Sequence, residues 1–190
     1  MFAISDNALY ELDEFNFGNK IALHTAGSVS IDVLKNISAN YGVLYPLQSL
    51  RKERVTIPEI PLLINGNTED TISEIENFAK TISPLVSITT DKQREKLHLA
   101  AVIVNNFANH LFTMTEDYCI KEKLDFNMLF PLINETAQRL HYYSPAEMQT
   151  GPAIRKDTIT IDKHLKLLSD FPELKYIYTK LSESINRLYS

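Results

Sequence analysis

Residues 85–111, LVSITTDKQREKLHLAAVIVNNFANHL, decide the architecture, because here a short β-like run gives way to a helical pattern that dominates the rest of the chain. LVSIT closes a series of apolar runs, and Thr90 or Asp91 then offers an N-cap for a long helix. Upstream, MFAIS, KIALHT, YGVLYP and IPLLING read as strands, while ALYELDEF, SIDVLKNI and NTEDTISEIENFAKTI read as helical segments. Strands that are apolar throughout and alternate with helices point to a sheet, at least partly parallel, covered by helices. In the last of those segments Asn67 or Thr68 caps a helix whose Ile72, Ile75, Phe78, Ala79 and Ile82 share one face. Downstream, DFNMLFPLINETAQRLHYY, SPAEMQT, TITIDKHLKLLSDF and PELKYIYTKLSESINRLY read as helices, the second opening on Ser144 and Pro145, the last with Pro172 in its first turn. The expected organisation is an α/β part over residues 1–88 and an all-helical part over 89–190. No Gly/Ser-rich linker separates them, so the two are expected to pack closely.

The polar residues of the long helix raise the question of function. At about 100° per residue, His98, Val102, Asn105, Asn109 and Glu116 fall within about 40° of His98, with Asp91 and Arg94 extending the line. Asn106 and His110 lie about 100° round from that stripe. Ala100, Val104, Phe107, Ala108 and Leu111 sit opposite and read as packing residues. A stripe of this kind either satisfies itself inside a core or subunit contact, or borders a cleft. His98 and Asn105, about 10 Å apart along the axis, could both edge one cleft without touching.

Three loops follow strands in the α/β half. In IALHTAGS, the strand ends at His24 and runs into the small residues Thr25, Ala26, Gly27 and Ser28. Ligands of α/β folds bind at such carboxyl ends, although a plain strand-to-helix turn capped by Ser28 or Ser30 fits as well. Ser5 and Asp6 could cap the next helix, and Pro46 and Gln48 follow another strand. In QTGPAIRKD, Gly151 permits an unusual turn and Pro152 stiffens it. There Arg155 either holds an anion with its planar fork or pairs with Asp157, which could equally cap the next helix, and Thr150 adds a hydroxyl. RKER at 51–54 reads as a solvated loop.

The chain has 190 residues, 44% hydrophobic and 23% charged, which suits a globular protein with a real core. A net charge of -5 gives no footprint for nucleic acid or an anionic membrane. Cys119 is the single cysteine, no signal peptide precedes the first strand, and no apolar stretch approaches the roughly 20 residues of a bilayer span. A cytoplasmic protein is expected. The five glycines, Gly18, Gly27, Gly42, Gly66 and Gly151, form no GxGxxG, so the residues alone do not suggest a nicotinamide enzyme.

From FAISDNALYEL through LHTAGSVSIDVL, YGVLYPLQSL, IPLLING, REKLHLAAVIVNNFANHL, LFPLINETAQ and QTGPAIRKDTITIDKHLKLL, the chain resembles a family of NADP-dependent oxidoreductases. These join a Rossmann-like N-terminal domain to a helical dimerisation domain of formerly unknown function, and are distant relatives of pyrroline-5-carboxylate reductase and the deazaflavin-dependent NADP oxidoreductases. TGPxxRxD followed by HL is the most specific element, and LHTAGS the next. The resemblance implies a partial Rossmann-like sheet, then a helical bundle of the 6-phosphogluconate dehydrogenase C-terminal-like type. It implies a homodimer through the helices, and hydride exchange between NADP and a small carbonyl, imine or alcohol at an interdomain cleft. Ser5, His24 to Ser28, Pro46 and Gln48 would border the cofactor. His98, Asn105, Thr150 and Arg155 would border the substrate, with His98 as proton donor, Asn105 orienting a carbonyl or imine, and Arg155 holding a carboxylate. The family often has His-Pro where this chain has Tyr45-Pro46, which removes an imidazole from the cleft. The family's first strands and glycine-rich phosphate loop have no counterpart, so a truncated start and weak cofactor binding are expected. The alternative is a non-catalytic remnant that keeps the dimer interface and a small-ligand pocket.

Overall fold

A computed structural model of the chain describes residues 1–12, 14–50 and 59–189. It divides into two compact units, Met1–Ala108 and Asn109–Ser190. The RKER segment at 51–54 lies outside the described residues.

The first unit is built on a mixed four-stranded sheet, ordered β1 (Ile21–His24), β2 (Asn40–Pro46), β3 (Leu62–Gly66) and β4 (Val86–Ile88). β1 runs parallel to β2, β2 antiparallel to β3, and β3 parallel to β4. The expected strand at residues 1–5 shrinks to a single parallel bridge between Phe2 and His24, followed by one helical turn, α1 (Asp6–Leu9). SIDVLKNI is likewise short, a 3-10 turn over Ile31–Leu34 capped by Ser30.

Side-chain alternation gives the sheet two working faces. Leu23, Leu44, Leu62 and Ile64 pack on one side with Ile75 and Ala79 of α2 (Glu69–Lys80). Thr68 caps α2 by accepting from the Thr71 amide. On the other side Ala22 packs with Leu34 and Ile37, and the register of His24 with Val43 puts His24, Val43 and Tyr45 on that same face.

α3 (Asp91–Ala101) starts with a reciprocal capping box, in which Thr90 accepts from the Gln93 backbone and the Gln93 side chain accepts from Thr90. Its Arg94 is fully buried, donates to the Val29 carbonyl and pairs with Asp91 at 2.8 Å. α3 is therefore anchored into the first unit, which runs past the boundary expected at 88–89. Residues Val102–Phe107 then form a π-helical segment, and α4 (Ala108–Lys121) continues beyond it.

The second unit is helical, with α5 (Phe130–Arg139), α6 (Thr158–Leu167) and α7 (Pro172–Leu188). SPAEMQ makes only a turn, in which the Ser144 amide and hydroxyl donate to the Glu147 carboxylate. Tyr118 packs edge-on against Phe171, and Lys121 lies over the same ring. His164 shares a hydrogen bond with Tyr178 across α6 and α7. Among the described residues of this unit, only Cys119, Ala153 and Leu168 are buried. No helix among the described residues is long and apolar enough to cross a membrane.

Candidate functional site

A cavity of about 500 Å³ opens on the first unit, lined by the end of β2 and its loop (Tyr45, Leu47, Gln48, Ser49) and by α3 with the π segment (Leu97, His98, Ala100 to Val102, Val104 to Asn106). Three residues expected from the sequence, His98, Asn105 and Gln48, line it together. His98 sits in the last turn of α3, half-buried, with Nδ1 2.9 Å from the Tyr45 hydroxyl and the two rings edge to face at 5.8 Å.

The loop after β1 closes in behind this pair. An ideal Cβ on Gly27 would lie 2.6 Å from His98 Nδ1 and 2.9 Å from Tyr45 Cζ. Only a glycine lets the backbone approach the imidazole and phenol this closely, and its φ is not the reason. The loop is braced at other points too: Ser28 donates to Asp6 at 2.7 Å, the Thr25 hydroxyl reaches the Phe2 carbonyl, and the Ile31 amide donates to Asp91.

His24 belongs to this bracing and is a correction to its expected place beside a cofactor. Its ring is fully buried, and Nδ1 accepts from the Ala26 amide at 3.1 Å, so it offers no surface to a ligand. Burial, and then the Arg94 charge, lower its pKa to about 4, against the opposing pull of Asp91 and Asp6. The ring is therefore neutral at neutral pH. Burial works against ionisation of Asp91, but bonds from Ser30, Arg94 and the Ile31 amide hold its carboxyl below the ordinary range. Ala26 is buried as well, which leaves the exposed Ser28 and half-buried Thr25 as the loop's accessible side chains.

The stripe drawn at about 100° per residue changes in the structure. A π turn bonds residue i to i+5 and holds more residues than an α turn, so side chains beyond Val102 rotate off the α-helical register. Asn106, expected on a different face, joins Asn105 at the cavity and accepts a bond from its Nδ2 at 2.9 Å. Asn109, expected in the stripe, is exposed and falls with His110 in the second unit. The helix is also not apolar-packed all round, since Val104 is 74% and Phe107 58% exposed.

The remaining expected residues are dispersed. Ser5 stands at the N-cap of α1 but makes no side-chain cap bond. Pro46 ends β2, paired with Leu62, while Gln48 turns its Oε1 to the Ser49 amide. Thr150 and Arg155 belong to the second unit and are exposed. Gly151 does take the unusual turn, at φ +104. Asp157 caps α6, accepting from the Thr160 amide and hydroxyl, in place of an ion pair with Arg155. The residue missed in the sequence is Tyr45: where an imidazole is replaced, the phenol instead grips the one on α3. No local signal announces a partner 53 positions away.

Residues 60–185 match the family described as a domain of unknown function, DUF2520. A crystal structure of a Bacteroides fragilis protein named as a putative NADP oxidoreductase is 37% identical, with a TM-score of 0.91, over 97% of this chain and 73% of that one. A second, from Thermotoga maritima, is 18% identical with a TM-score of 0.76, over 98% of this chain and 76% of the other, and supports the fold alone. No curated protein matches the chain.

Proposed function

The chain belongs to the DUF2520 family, and from its geometry we propose that it is an NADP-dependent oxidoreductase acting on a small carbonyl, imine or alcohol at the His98 cavity. The carrying observation is the approach of Gly27 to the Tyr45–His98 pair, which joins the loop at the end of β1 to a group able to exchange a proton. The name of the Bacteroides fragilis relative supports the cofactor class.

The residues present fit one end of a dinucleotide. Thr25 to Ser28 form a loop of small residues at the carboxyl end of a parallel strand, where Thr25 and Ser28 keep accessible side chains and Gly27 is buried against His98 and Tyr45. NADP, when bound, supplies the hydride. The chain's own contribution is to hold a carbonyl or imine against His98, to give a proton at Nε2 while Nδ1 takes one from the Tyr45 hydroxyl, or the reverse, and to orient the acceptor with the Asn105 and Asn106 amides. Leu97, Ala101 and Val102 exclude water from the apolar side. We further propose that the protein is a homodimer through its second unit and works in the cytoplasm, where a reduced Cys119 is at home.

Titrating the 15N-labelled chain with NADP tests the reading. The Thr25 to Ser28 amides and the Asn105 side chain shift together, and binding is weak because the sequence has no GxGxxG. Shifts confined to residues away from this loop would overturn the site. Sub-micromolar affinity would overturn the expected weakness.

A further inference from the structure

We infer that Tyr45 fixes the tautomer of His98, so that the cavity presents an Nε2–H donor suited to an uncharged hydrogen-bond acceptor, a ketone, aldehyde, imine or amide carbonyl, attached to an apolar body. The Tyr45 hydroxyl lies 2.9 Å from His98 Nδ1. A neutral imidazole has one donor and one acceptor nitrogen, and the bond made by one decides where the other stands. Burial pushes the Tyr45 phenol above its ordinary pKa, against the pull of Arg94, so the hydroxyl keeps its proton across the neutral range. A phenol hydroxyl is a stronger donor than acceptor toward an imidazole nitrogen, so Nδ1 of the neutral ring accepts from Tyr45 and the ring proton resides on Nε2.

The setting holds the pair in that relation. Gly27 closes over the Nδ1 side, with no room for a Cβ between itself and the two rings. No described residue bonds Nε2. Tyr45 is thus a positioning residue that acts through His98, comparable in logic to any second group that orients a catalytic imidazole.

The rest of the lining selects the ligand. Among the described residues, the polar groups there besides the pair are two asparagines, a glutamine and a serine, and none is charged. Primary amides offer both donor and acceptor and suit neutral polar atoms, whereas a carboxylate would meet no charged side chain among the described lining residues. The substrate class therefore narrows, within the proposed reading, to neutral carbonyl compounds and imines.

The test needs no cofactor or turnover, so its failure is separable from failure of the oxidoreductase reading. Long-range 1H–15N spectra of the histidine side chains at pH 8 report which nitrogen carries the proton. Wild-type His98 is expected to be the Nε2–H tautomer, and Tyr45→Phe to lose that preference, the two ring 15N shifts moving toward each other. A predominant Nδ1–H form in the wild type, or unchanged shifts in Tyr45→Phe, would overturn the role of Tyr45. Cyclohexanone then serves as neutral probe and cyclohexanecarboxylate as its anionic counterpart. Saturable shifts of His98 Nε2 and the Asn105 and Asn106 amides with the ketone alone support the ligand class. Stronger binding of the carboxylate, or no shift with the ketone, overturns it.

Discussion

At the scale of single residues, the loop after β1 depends on atoms that never meet solvent. His24 is neutral in the folded chain because burial and the Arg94 charge hold its pKa near 4, against 6.5 for an ordinary imidazole. Between those values the unfolded chain binds a proton that the folded chain refuses, so stability is full above pH 6.5 and falls as pH drops toward 4. The loss is at most about 3 kcal/mol. Asp91 and Asp6 face the same ring, and the Asp91 carboxyl is held below the ordinary range. Urea midpoints from pH 7.5 to 4.5 should fall steeply in wild type and stay nearly flat in His24→Asn, whose side chain can still accept from the Ala26 amide; equal slopes would refute the assignment. Gly27 is sensitive for a steric reason. Gly27→Ala places a methyl inside van der Waals range of His98 and Tyr45, so something must shift. A cost of about 1–3 kcal/mol in stability is expected from such overpacking. The diagnostic readout is loss of the Tyr45-dependent tautomer signal of His98 in a protein that still melts cooperatively.

Among the elements, the caps of α2 and α3 were legible because a cap is local: Thr68 and Thr90 each bond a backbone amide three residues on. The strands of the sheet were legible by their apolar runs, and the loops by the residues that end them. The π segment was not, because periodicity assumes about 100° per residue and nothing in VIVNNF announces a wider turn. It had a consequence for the site, bringing Asn106 in and leaving Asn109 out. The Tyr45–His98 bond was hidden for another reason, since it joins β2 to α3 and exists only once the sheet has formed. The π segment also yields a prediction. Deleting Ile103, which is half-exposed, removes the extra residue and lets α-helical bonding run from α3 into α4. The helix should be no less stable, yet the Asn105 and Asn106 amides should stop responding to cyclohexanone. Retention of that response would mean that the wide turn has no part in building the cavity.

For the whole molecule, the second unit carries more apolar surface than its own helices cover. α5, α6 and α7 contain no buried residue, although each carries an apolar stripe. Leu132 is 63%, Ile159 70% and Leu188 74% exposed. Isolated exposed leucines are ordinary, but exposed apolar residues recurring on α5, α6 and α7 fit the proposed association with a second copy. Burying such side chains is worth about 25 cal/mol per Å² of apolar area, so two copies that bring these faces together gain what one copy leaves unclaimed. The proposed homodimer is the closed way to do so, since a two-fold interface uses the same face twice and leaves none over. Light scattering at micromolar concentration should give twice the 21.7 kDa chain mass. The pair Leu132→Asp and Leu188→Asp should shift the equilibrium toward monomer and lower the melting temperature together, because dimer and fold share the same buried area. If wild type instead runs as a monomer at every concentration with its helices fully formed, the apolar faces must be covered by something other than a second copy, and the proposal fails. Because the Tyr45–His98 bond lies wholly in the first unit, its tautomer signal should survive in the monomeric variant, which separates the chemistry of the cavity from the association of the helices.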